Sequence, residues 1–363
     1  MSEQFVWLLT AVLLFNLILF TVTGRYRHRQ LLDTIEVITI DDFPSQYLGN
    51  KRPIHLFLPP NYRNQVALSN LVPPLYKVLY LNDGQDVGQL NLRETLARLT
   101  ARGRIEPVVV VAIPTNEDRL HEYGTAVTAN AQGYGDKAAE YASFLTEELM
   151  PVIEREFPVK TGPANTTIMG ISLGGLSAFD IAWNHPHLFG TVGVFSGSFW
   201  WRAGEDDPHI PPNHLIVHET VRRSRYHPCF RAWFEAATRD ETGDRDNNGM
   251  IDAIQDTVEL IDELAALGYE RGQDVVYVQV EGGRHDYHTW SHILPQFLEW
   301  AFPVVPLSSA KKLRQTGGTK ENFYRDFINS SPRMKICSPN IPVRTIEQGH
   351  SIYKGVKHGG KPG

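Results

Sequence analysis

Short apolar runs alternate with longer amphipathic stretches between residues 31 and 302. The apolar runs are rich in β-branched residues and are bounded by Gly, Pro, Asn and Asp, which is typical of strands. The amphipathic stretches repeat their apolar positions every three or four residues, as a helix with one buried face does. This alternation predicts an α/β domain with a mostly parallel central sheet of about eight strands and helices on both faces.

Individual elements can be placed along this pattern. The predicted strands are residues 35–40, 54–58, 77–81, 108–113, 166–170, 191–196, 233–237 and 275–280. The predicted helices are residues 138–154, 173–184 and 251–267. Because the first two strands follow each other without a helical stretch, we expect them to pair antiparallel at one edge of the sheet. The run 108–113 is apolar throughout, as expected of a central strand covered on both faces.

The chain begins with a long apolar segment. Residues 5–22 carry no charge, and Arg25, Arg27 and Arg29 follow them. This length suits a membrane-spanning helix, and the start MSEQ lacks the basic residues of a cleavable signal peptide. We therefore predict that residues 1–30 form a membrane anchor with a basic flank. A buried or interfacial helix and an upstream extension that is not normally translated are the alternatives. The side of the membrane stays open, although the basic flank favours the cytoplasmic side.

The other end of the chain is basic. Residues 303–363 lose the hydrophobic periodicity and are rich in Gly and Lys, so they can bury little apolar surface and are predicted to be a disordered tail. Residues 31–302 remain as the predicted α/β domain. The whole chain has a net charge of -6, which argues against a nucleic-acid partner.

The stretch TTIMGISLGGLSAFDIAW contains the most informative motif of the chain. A β-rich run leads into GxSxG at Gly170, Ser172 and Gly174, and a helical run follows. Glycine on both sides suits a nucleophile elbow, in which a strand turns sharply into a helix and the backbone of the serine is strained. The alternative is an ordinary Gly-rich turn with an exposed serine. The strand-turn-helix context favours a nucleophilic Ser172.

A nucleophilic serine needs a base for its proton and an acid that orients the base, and in this kind of fold they follow in the order Ser, acid, His. The last predicted strand runs into GGRHDYH, where a Gly-Gly turn presents His285, with His288 as the alternative. The strand 233–237 ends in ATRDET, which places Asp240 past a strand end, with Glu241 as the alternative. A solvated or helix-capping role is the ordinary one for such a carboxylate.

Backbone N–H groups are the usual donors to the oxyanion of a tetrahedral intermediate. Leu173, directly after the serine, is predicted to supply one donor. The loop NDGQD after strand 77–81 is predicted to supply the second from Gln85, because Gly84 allows a close approach. By itself, NDG is also an ordinary tight-turn sequence.

Several separated motifs together resemble one family. GISLGGLSAFDIAWNHPHLFGTVGVFSGSFWW, GGRHDYHTW and the early LPPNY and LYLNDGQ are similar to the putative-esterase family of α/β hydrolases. That family includes enterochelin esterase-like proteins, esterase D-like thioesterases, feruloyl and acetyl-xylan esterases, and mycolyltransferases. The resemblance covers about residues 35–302 and implies the α/β-hydrolase fold. It places the nucleophile at Ser172, the histidine at His285 and the acid at Asp240.

Two residues depart from the family pattern: Arg284 is inserted in the usual GGH, and Ala237 replaces the glycine in the turn of the acid. Ser172, Asp240 and His285 together predict a serine esterase that works on a small-molecule ester through an acyl-enzyme and needs no cofactor for its chemistry. The alternatives are an acyltransferase of the same fold, as the mycolyltransferases suggest, and a catalytically silent binding protein. An amidase or peptidase is less favoured, because nothing in the sequence indicates peptide recognition.

A second motif follows the predicted acid. In DRDNNGMIDAIQD, oxygen-bearing residues fall on the positions of a calcium-binding loop around a sharp glycine turn. The predicted ligands are Asp244, Asp246, Asn248, Asp252 and the carbonyl of Met250. Gln255 stands where such a loop normally has a glutamate, and a solvated turn that caps the next helix is the alternative. The motif predicts a structural Ca²⁺ that braces the loop of Asp240.

Three aromatic residues follow the predicted strand 191–196. Phe199, Trp200 and Trp201 lie past its carboxyl end, and open α/β sheets bind ligands at that edge. They are predicted to line a pocket for an acyl or aryl group, with aromatic core packing as the alternative.

Overall fold

The computed structural model describes residues 29–68, 74–203 and 214–304, together with Trp7 and Tyr26. Apart from Trp7, the predicted anchor segment 5–22 lies outside the described residues, and so does the predicted tail from residue 305 onward. Among the described residues, no helix combines the length and the hydrophobicity that crossing a bilayer requires. The membrane anchor and the disordered tail stay predictions.

One sheet of eight strands organises the described residues, as the hydrophobic pattern predicted. The strands are β1 (Glu36–Ser45), β2 (Asn50–Leu58), β3 (Lys77–Asn82), β4 (Val108–Ile113), β5 (Thr166–Ile171), β6 (Thr191–Phe195), β7 (Arg231–Arg239) and β8 (Val275–Arg284). Their order across the sheet is β1-β2-β4-β3-β5-β6-β7-β8. The pairs β1 with β2 and β2 with β4 are antiparallel, and every other neighbouring pair is parallel. The predicted antiparallel edge is therefore confirmed.

From residue 62 onward, the α-helices lie between the strands, except the last, which follows β8. They are α1 (Tyr62–Leu68), α2 (Leu92–Ala101), α3 (Arg119–Glu122), α4 (Ala138–Ser143), α5 (Met150–Glu156), α6 (Leu173–Asn184), α7 (Ile216–Arg222), α8 (Asp252–Ala266) and α9 (Tyr287–Ala301). A π-helical segment, Phe144–Leu149, joins α4 to α5, so the predicted helix 138–154 is one continuous rod with a π-helical middle. The other two predicted helices match α6 and α8 closely.

Apolar side chains cover both faces of the sheet. Alternate residues of β4 belong to different hydrophobic clusters: Val109 and Val111 to one, Val108 and Val110 to the other. This two-residue alternation is what a strand buried on both sides requires. The helices α4 to α8 contribute to the first cluster, and α2 and α9 contribute to the second. The predicted arrangement with helices on both faces is confirmed.

The parallel strands bring their carboxyl ends to one edge of the sheet. Ile171 of β5 pairs with Phe195 of β6, and Phe195 pairs in turn with Glu235 of β7. The residues that follow these strands are therefore neighbours in space although they are far apart in sequence. This edge is where an open α/β sheet binds its ligands.

The turn from β5 into α6 depends on two glycines. A Cβ on Gly170 would lie 2.0 Å from the carbonyl oxygen of Gly174, and a Cβ on Gly174 would lie 2.5 Å from Oδ2 of Asp83. Between them, Ser172 has φ 56° and ψ -124°, a conformation that a residue with a side chain rarely adopts. The strained strand-to-helix turn that a nucleophile elbow requires is therefore present at the predicted place.

Gly170→Ala tests this close approach. We expect it to lower the free energy of unfolding by about 3 kcal/mol or more, because the new methyl group meets backbone atoms that cannot rotate away. Denaturant unfolding measures the difference. Gly88→Ala is the matched control, since a Cβ at Gly88 meets nothing within 4 Å. Equal stability of the two variants would contradict the argument.

Candidate active site

Ser172 and His285 meet at the carboxyl edge of the sheet. Ser172 begins the turn into α6, and His285 follows the end of β8. Nε2 of His285 lies 3.0 Å from Oγ of Ser172, which is hydrogen-bonding distance. The imidazole can therefore accept the proton of the hydroxyl when the oxygen attacks an electrophile.

Asp240 stands behind His285. Its side chain is 1% exposed, and its Oδ1 lies 3.5 Å from Nδ1 of His285. Its Oδ2 accepts a hydrogen bond of 2.8 Å from the backbone N–H of Ala237. The structure thus places His285 between Ser172 and Asp240.

The rival residues lie elsewhere. Glu241 is exposed and forms no contact with His285 among the interactions of the described residues. His288 is exposed on α9, with its ring 5.1 Å from that of His292. The structure therefore places Asp240 rather than Glu241 beside His285, and His285 rather than His288 beside Ser172.

The inserted Arg284 does not displace the histidine. The pairing of β7 with β8 shifts register between Ala237 and Arg239, and Arg239 then pairs with Arg284. The N–H of Arg284 donates 2.9 Å to Oγ1 of Thr289 in the first turn of α9. The ladder is irregular at this end, and His285, the next residue, lies beside the serine.

Asp286 caps the helix that follows His285. Its carboxylate accepts hydrogen bonds from the N–H of Thr289 at 2.9 Å and from the Thr289 hydroxyl at 3.0 Å. These bonds, the backbone one first, lower the pKa of Asp286. The residue after His285 thus stabilises the start of α9.

Three residues of this site escaped the sequence analysis. Oγ of Ser196 lies 3.0 Å from Oδ1 of Asp240, and Nε1 of Trp290 donates 2.9 Å to Oγ of Ser196. The Trp290 ring also packs edge-on against the His285 ring, with centroids 5.0 Å apart. Oγ of Ser198 lies 3.4 Å from Oγ of Ser172. The sequence offered one indication of Ser196: it ends the predicted strand 191–196, which neighbours the strand that leads into Ser172.

The predicted oxyanion donors lie on two different turns, one at the start of α6 and one after β3. Leu173 is the first residue of α6, so its N–H has no acceptor within the helix. Gly84 and Gln85 form a tight turn after β3, where a Cβ on Gly84 would lie 2.5 Å from the nitrogen of Ile113. Glycine is therefore required there, as the sequence predicted. The role of Gln85 as the second donor stays a prediction.

A half-buried ion pair supports the turn after β3. Asp83 adopts a left-handed conformation, and Arg119 holds its carboxylate with two hydrogen bonds of 2.7 and 2.8 Å. The N–H of Asp83 lies 3.0 Å from the hydroxyl oxygen of Tyr123, to which it donates. Since Oδ2 of Asp83 lies against Gly174, the pair fixes the loop beside the start of α6.

The three aromatic residues after β6 are not a shared pocket wall. Phe199 and Trp201 are each 1% exposed and pack in the hydrophobic core, whereas Trp200 is 45% exposed. The Trp201 ring fills space beside Gly124 and Gly135, which a Cβ on either would enter. The prediction that Phe199 and Trp201 line a substrate pocket is corrected to core packing. Only Trp200 of the three presents a ring to solvent.

The predicted calcium loop is held together by its own hydrogen bonds. Asp244 accepts from the N–H groups of Asn248 and Gly249, and Asp252 accepts from the N–H of Arg245 and pairs with its guanidinium at 3.2 Å. Asp246 accepts from Asn248 and from the side chain of Gln255, while the N–H of Met250 donates to Asn248. Among the described residues, no group of three or more His, Cys, Asp or Glu side chains could hold a metal ion. Calcium at this loop stays a prediction.

Calcium binding is tested by thermal unfolding. If the sequence prediction holds, added Ca²⁺ raises the Tm and a chelator reverses the rise, because a ligand that binds the native state stabilises it. Asp246→Asn should remove the response, and Glu281→Gln, outside the loop, should keep it. A Tm that responds to neither Ca²⁺ nor the chelator contradicts the prediction.

The mostly parallel sheet carries a serine on a strained strand-to-helix turn, a histidine after the last strand and a buried acid after the strand before it. These features are typical of an α/β hydrolase. Residues 45–301 match the family model described as putative esterase. The chain belongs to the putative esterase family, and the family and fold are those of ester hydrolases.

Individual curated relatives match less than half of this chain. An uncharacterized Bacillus subtilis protein, YbbA, is 28% identical over 170 residues, which cover 46% of this chain and 64% of that protein. The iron(III) enterobactin esterase of Dickeya dadantii is 30% identical over 167 residues, which cover 45% of this chain and 34% of that esterase. The matched segment therefore spans less than two thirds of either relative.

Solved structures share the fold. An IroE-like serine hydrolase from Shewanella oneidensis superposes with a TM-score of 0.57 at 20% identity, covering 80% of this chain and 88% of that one. A ferulic acid esterase superposes with a TM-score of 0.56 at 18% identity, covering 74% of this chain and 98% of that one. At these identities the likeness shows the α/β-hydrolase fold alone.

Proposed function

We propose that the chain is a carboxylic-ester hydrolase in which Ser172 is the nucleophile, His285 the general base and Asp240 the residue that orients the base. The observation that carries the proposal is the 3.0 Å approach of His285 Nε2 to the hydroxyl of a serine whose backbone is strained. Family membership supports it independently, because it rests on residues 45–301 as a whole.

The proposed reaction has two halves. Oγ of Ser172 attacks the acyl carbon while its proton passes to Nε2 of His285, and the alcohol leaves with that proton. Water then attacks the acyl-enzyme, His285 accepts a proton from it, and Ser172 is released with the proton restored. Asp240 accepts a hydrogen bond from the Nδ1–H of His285 in both halves and stabilises the imidazolium that forms. No cofactor takes part in these steps.

The oxyanion is proposed to bind the N–H groups of Leu173 and Gln85. Leu173 begins α6, next to Ser172. Gln85 follows Gly84, whose backbone packs closely against the backbone of Ile113. Donors fixed by backbone cost no reorganisation as charge develops on the oxygen.

Water as the acyl acceptor is supported by the setting of the histidine. The His285 side chain is 41% exposed, so water can reach the position from which the base activates it. Hydrolysis is for this reason proposed over transfer to a second alcohol. Because the similar proteins include an iron(III) enterobactin esterase and a ferulic acid esterase, enterobactin and ferulate esters are the natural esters to screen first.

Ser172→Ala tests the proposed function. We expect the full chain to hydrolyse a short-chain p-nitrophenyl ester and the variant to lose at least about a thousandfold in kcat/KM, because no other group replaces the nucleophile. Release of p-nitrophenol measures the rate, with circular dichroism to verify folding. A variant as active as the parent would overturn the assignment of Ser172, and a parent inactive on p-nitrophenyl, ferulate and enterobactin esters would overturn hydrolysis.

The neighbouring residues supply matched controls in the same assay. His285→Ala should lose activity and His288→Ala should keep it, because only the first ring contacts the serine. Asp240→Asn should likewise lose activity, and Glu241→Gln should keep it. Loss of activity in the second member of either pair, with the first unaffected, would move the role to the rival residue.

A further inference from the structure

A second buried acid lies beside the triad. Glu235 is the β7 residue that pairs with Phe195, and its side chain is completely buried. Its Oε2 lies 3.3 Å from Oγ of Ser196, and the same Oγ lies 3.0 Å from Oδ1 of Asp240. One serine hydroxyl therefore joins Glu235 to the acid of the triad.

The hydrogen bonds of this hydroxyl can be counted. A serine hydroxyl has one proton to donate and two lone pairs to accept with. Trp290 donates to Ser196 Oγ at 2.9 Å, which takes one lone pair. If Glu235 and Asp240 were both ionised, the single Ser196 proton would have to serve two carboxylates, and one of them would lack its donor.

Protonation of Glu235 resolves the shortage. The acid then donates from Oε2 to the remaining lone pair of Ser196, and Ser196 donates its own proton to Asp240. Each of these contacts then has one donor and one acceptor. Oε1 of Glu235 is buried without a hydrogen-bond partner within the described part of the chain. A buried oxygen without a donor is far less costly on a neutral acid than on a carboxylate.

We propose that Glu235 is a positioning residue that acts as a neutral acid. It donates a hydrogen bond to Ser196, so that the Ser196 hydroxyl donates its own hydrogen bond to Asp240. Asp240 is thereby held oriented toward Nδ1 of His285, with its Oδ1 accepting the hydrogen bond from the Ser196 hydroxyl. The chain of contacts runs from Glu235 through Ser196 and Asp240 to His285, and Glu235 touches neither substrate nor nucleophile. The inference deepens the proposed function and rests on it.

The charges around Glu235 agree with this geometry. Burial, and after it the charge of Asp240, raise the pKa of Glu235 to about 8. Tyr277, on the neighbouring strand β8, stays neutral because burial raises its pKa to about 12. His285 faces this group only through Asp240. Glu235 is therefore protonated at neutral pH and ionises in mildly alkaline solution.

Glu235→Gln tests the inference through the pH profile of ester hydrolysis. Glutamine has the shape of the neutral acid and keeps a donor that cannot ionise. We expect kcat of the parent to fall roughly tenfold as the pH rises past 8, the loss equivalent to one hydrogen bond to a charged group, with KM little changed. The Gln variant should keep its kcat over the same range. An alkaline loss equal to that of the parent would overturn the inference.

Asp180→Asn is the matched control. Asp180 is another buried acid whose pKa burial raises, to about 7, and it holds the N–H of Ala126 instead of contacting the triad. This variant should keep the alkaline loss of the parent. Ser196→Ala removes the shared hydroxyl and should lower kcat roughly tenfold at pH 7, with KM little changed. An unchanged kcat in Ser196→Ala would overturn the inference.

A second readout does not require activity. A pKa of about 8 in the folded chain, against about 4.3 in the unfolded chain, means that the fold holds a proton that the unfolded chain releases. The stability due to Glu235 is therefore complete below about pH 4 and is lost as pH rises toward 8. The Tm of the parent should fall relative to Glu235→Gln between pH 5 and 8.

The two readouts separate two kinds of failure. If the chain hydrolyses none of the esters, the proposed function fails, yet the Tm comparison still reports whether Glu235 carries a proton. A Tm difference between parent and Glu235→Gln that is constant from pH 5 to 8 would overturn the neutral acid. A difference that widens with pH supports it.

Discussion

The close approach of two backbone segments, at the turn from β5 into α6, is the constraint on which the site depends. Because Gly170 and Gly174 have no side chains, the helix can begin directly at the end of a central strand. Ser172 then lies at the edge of the sheet in a strained conformation, where residues that follow other strands can contact its hydroxyl. β8 delivers His285 to that point and β7 delivers Asp240, so the rest of the site is arranged around a turn that only glycine permits.

Hydrogen-bond donors surround a buried carboxyl group, that of Asp240, behind the serine. The side chain of Asp240 is almost fully buried, and a carboxylate in such a place is costly unless donors surround it. The N–H of Ala237, the hydroxyl of Ser196 and the imidazole of His285 surround it. Because these groups come from β7, from the end of β6 and from the loop after β8, the sheet itself assembles the environment of the charge.

The sequence predicted all eight strands, the antiparallel edge and the turn that carries the serine. Those features follow from periodicity and from local backbone chemistry, which a single sequence displays. It did not separate the roles of Phe199, Trp200 and Trp201, because consecutive aromatic residues can point to opposite sides of the backbone. It also left the effect of the inserted Arg284 open, since the register shift between β7 and β8 at this point is a property of the sheet.

By itself, the sequence determined which residues have the chemistry of a nucleophile, a base and an acid, and that they follow strands of one α/β sheet. The tertiary structure decided which of the adjacent candidates meet, selecting His285 and Asp240, and it joined Glu235 and Trp290 to them through Ser196. The reason is that a hydrogen bond forms over about 3 Å between strands whose residues are distant in the chain. Their neighbourhood depends on strand order and register, such as the pairing of Phe195 with Glu235, which no local pattern of hydrophobic and polar positions specifies.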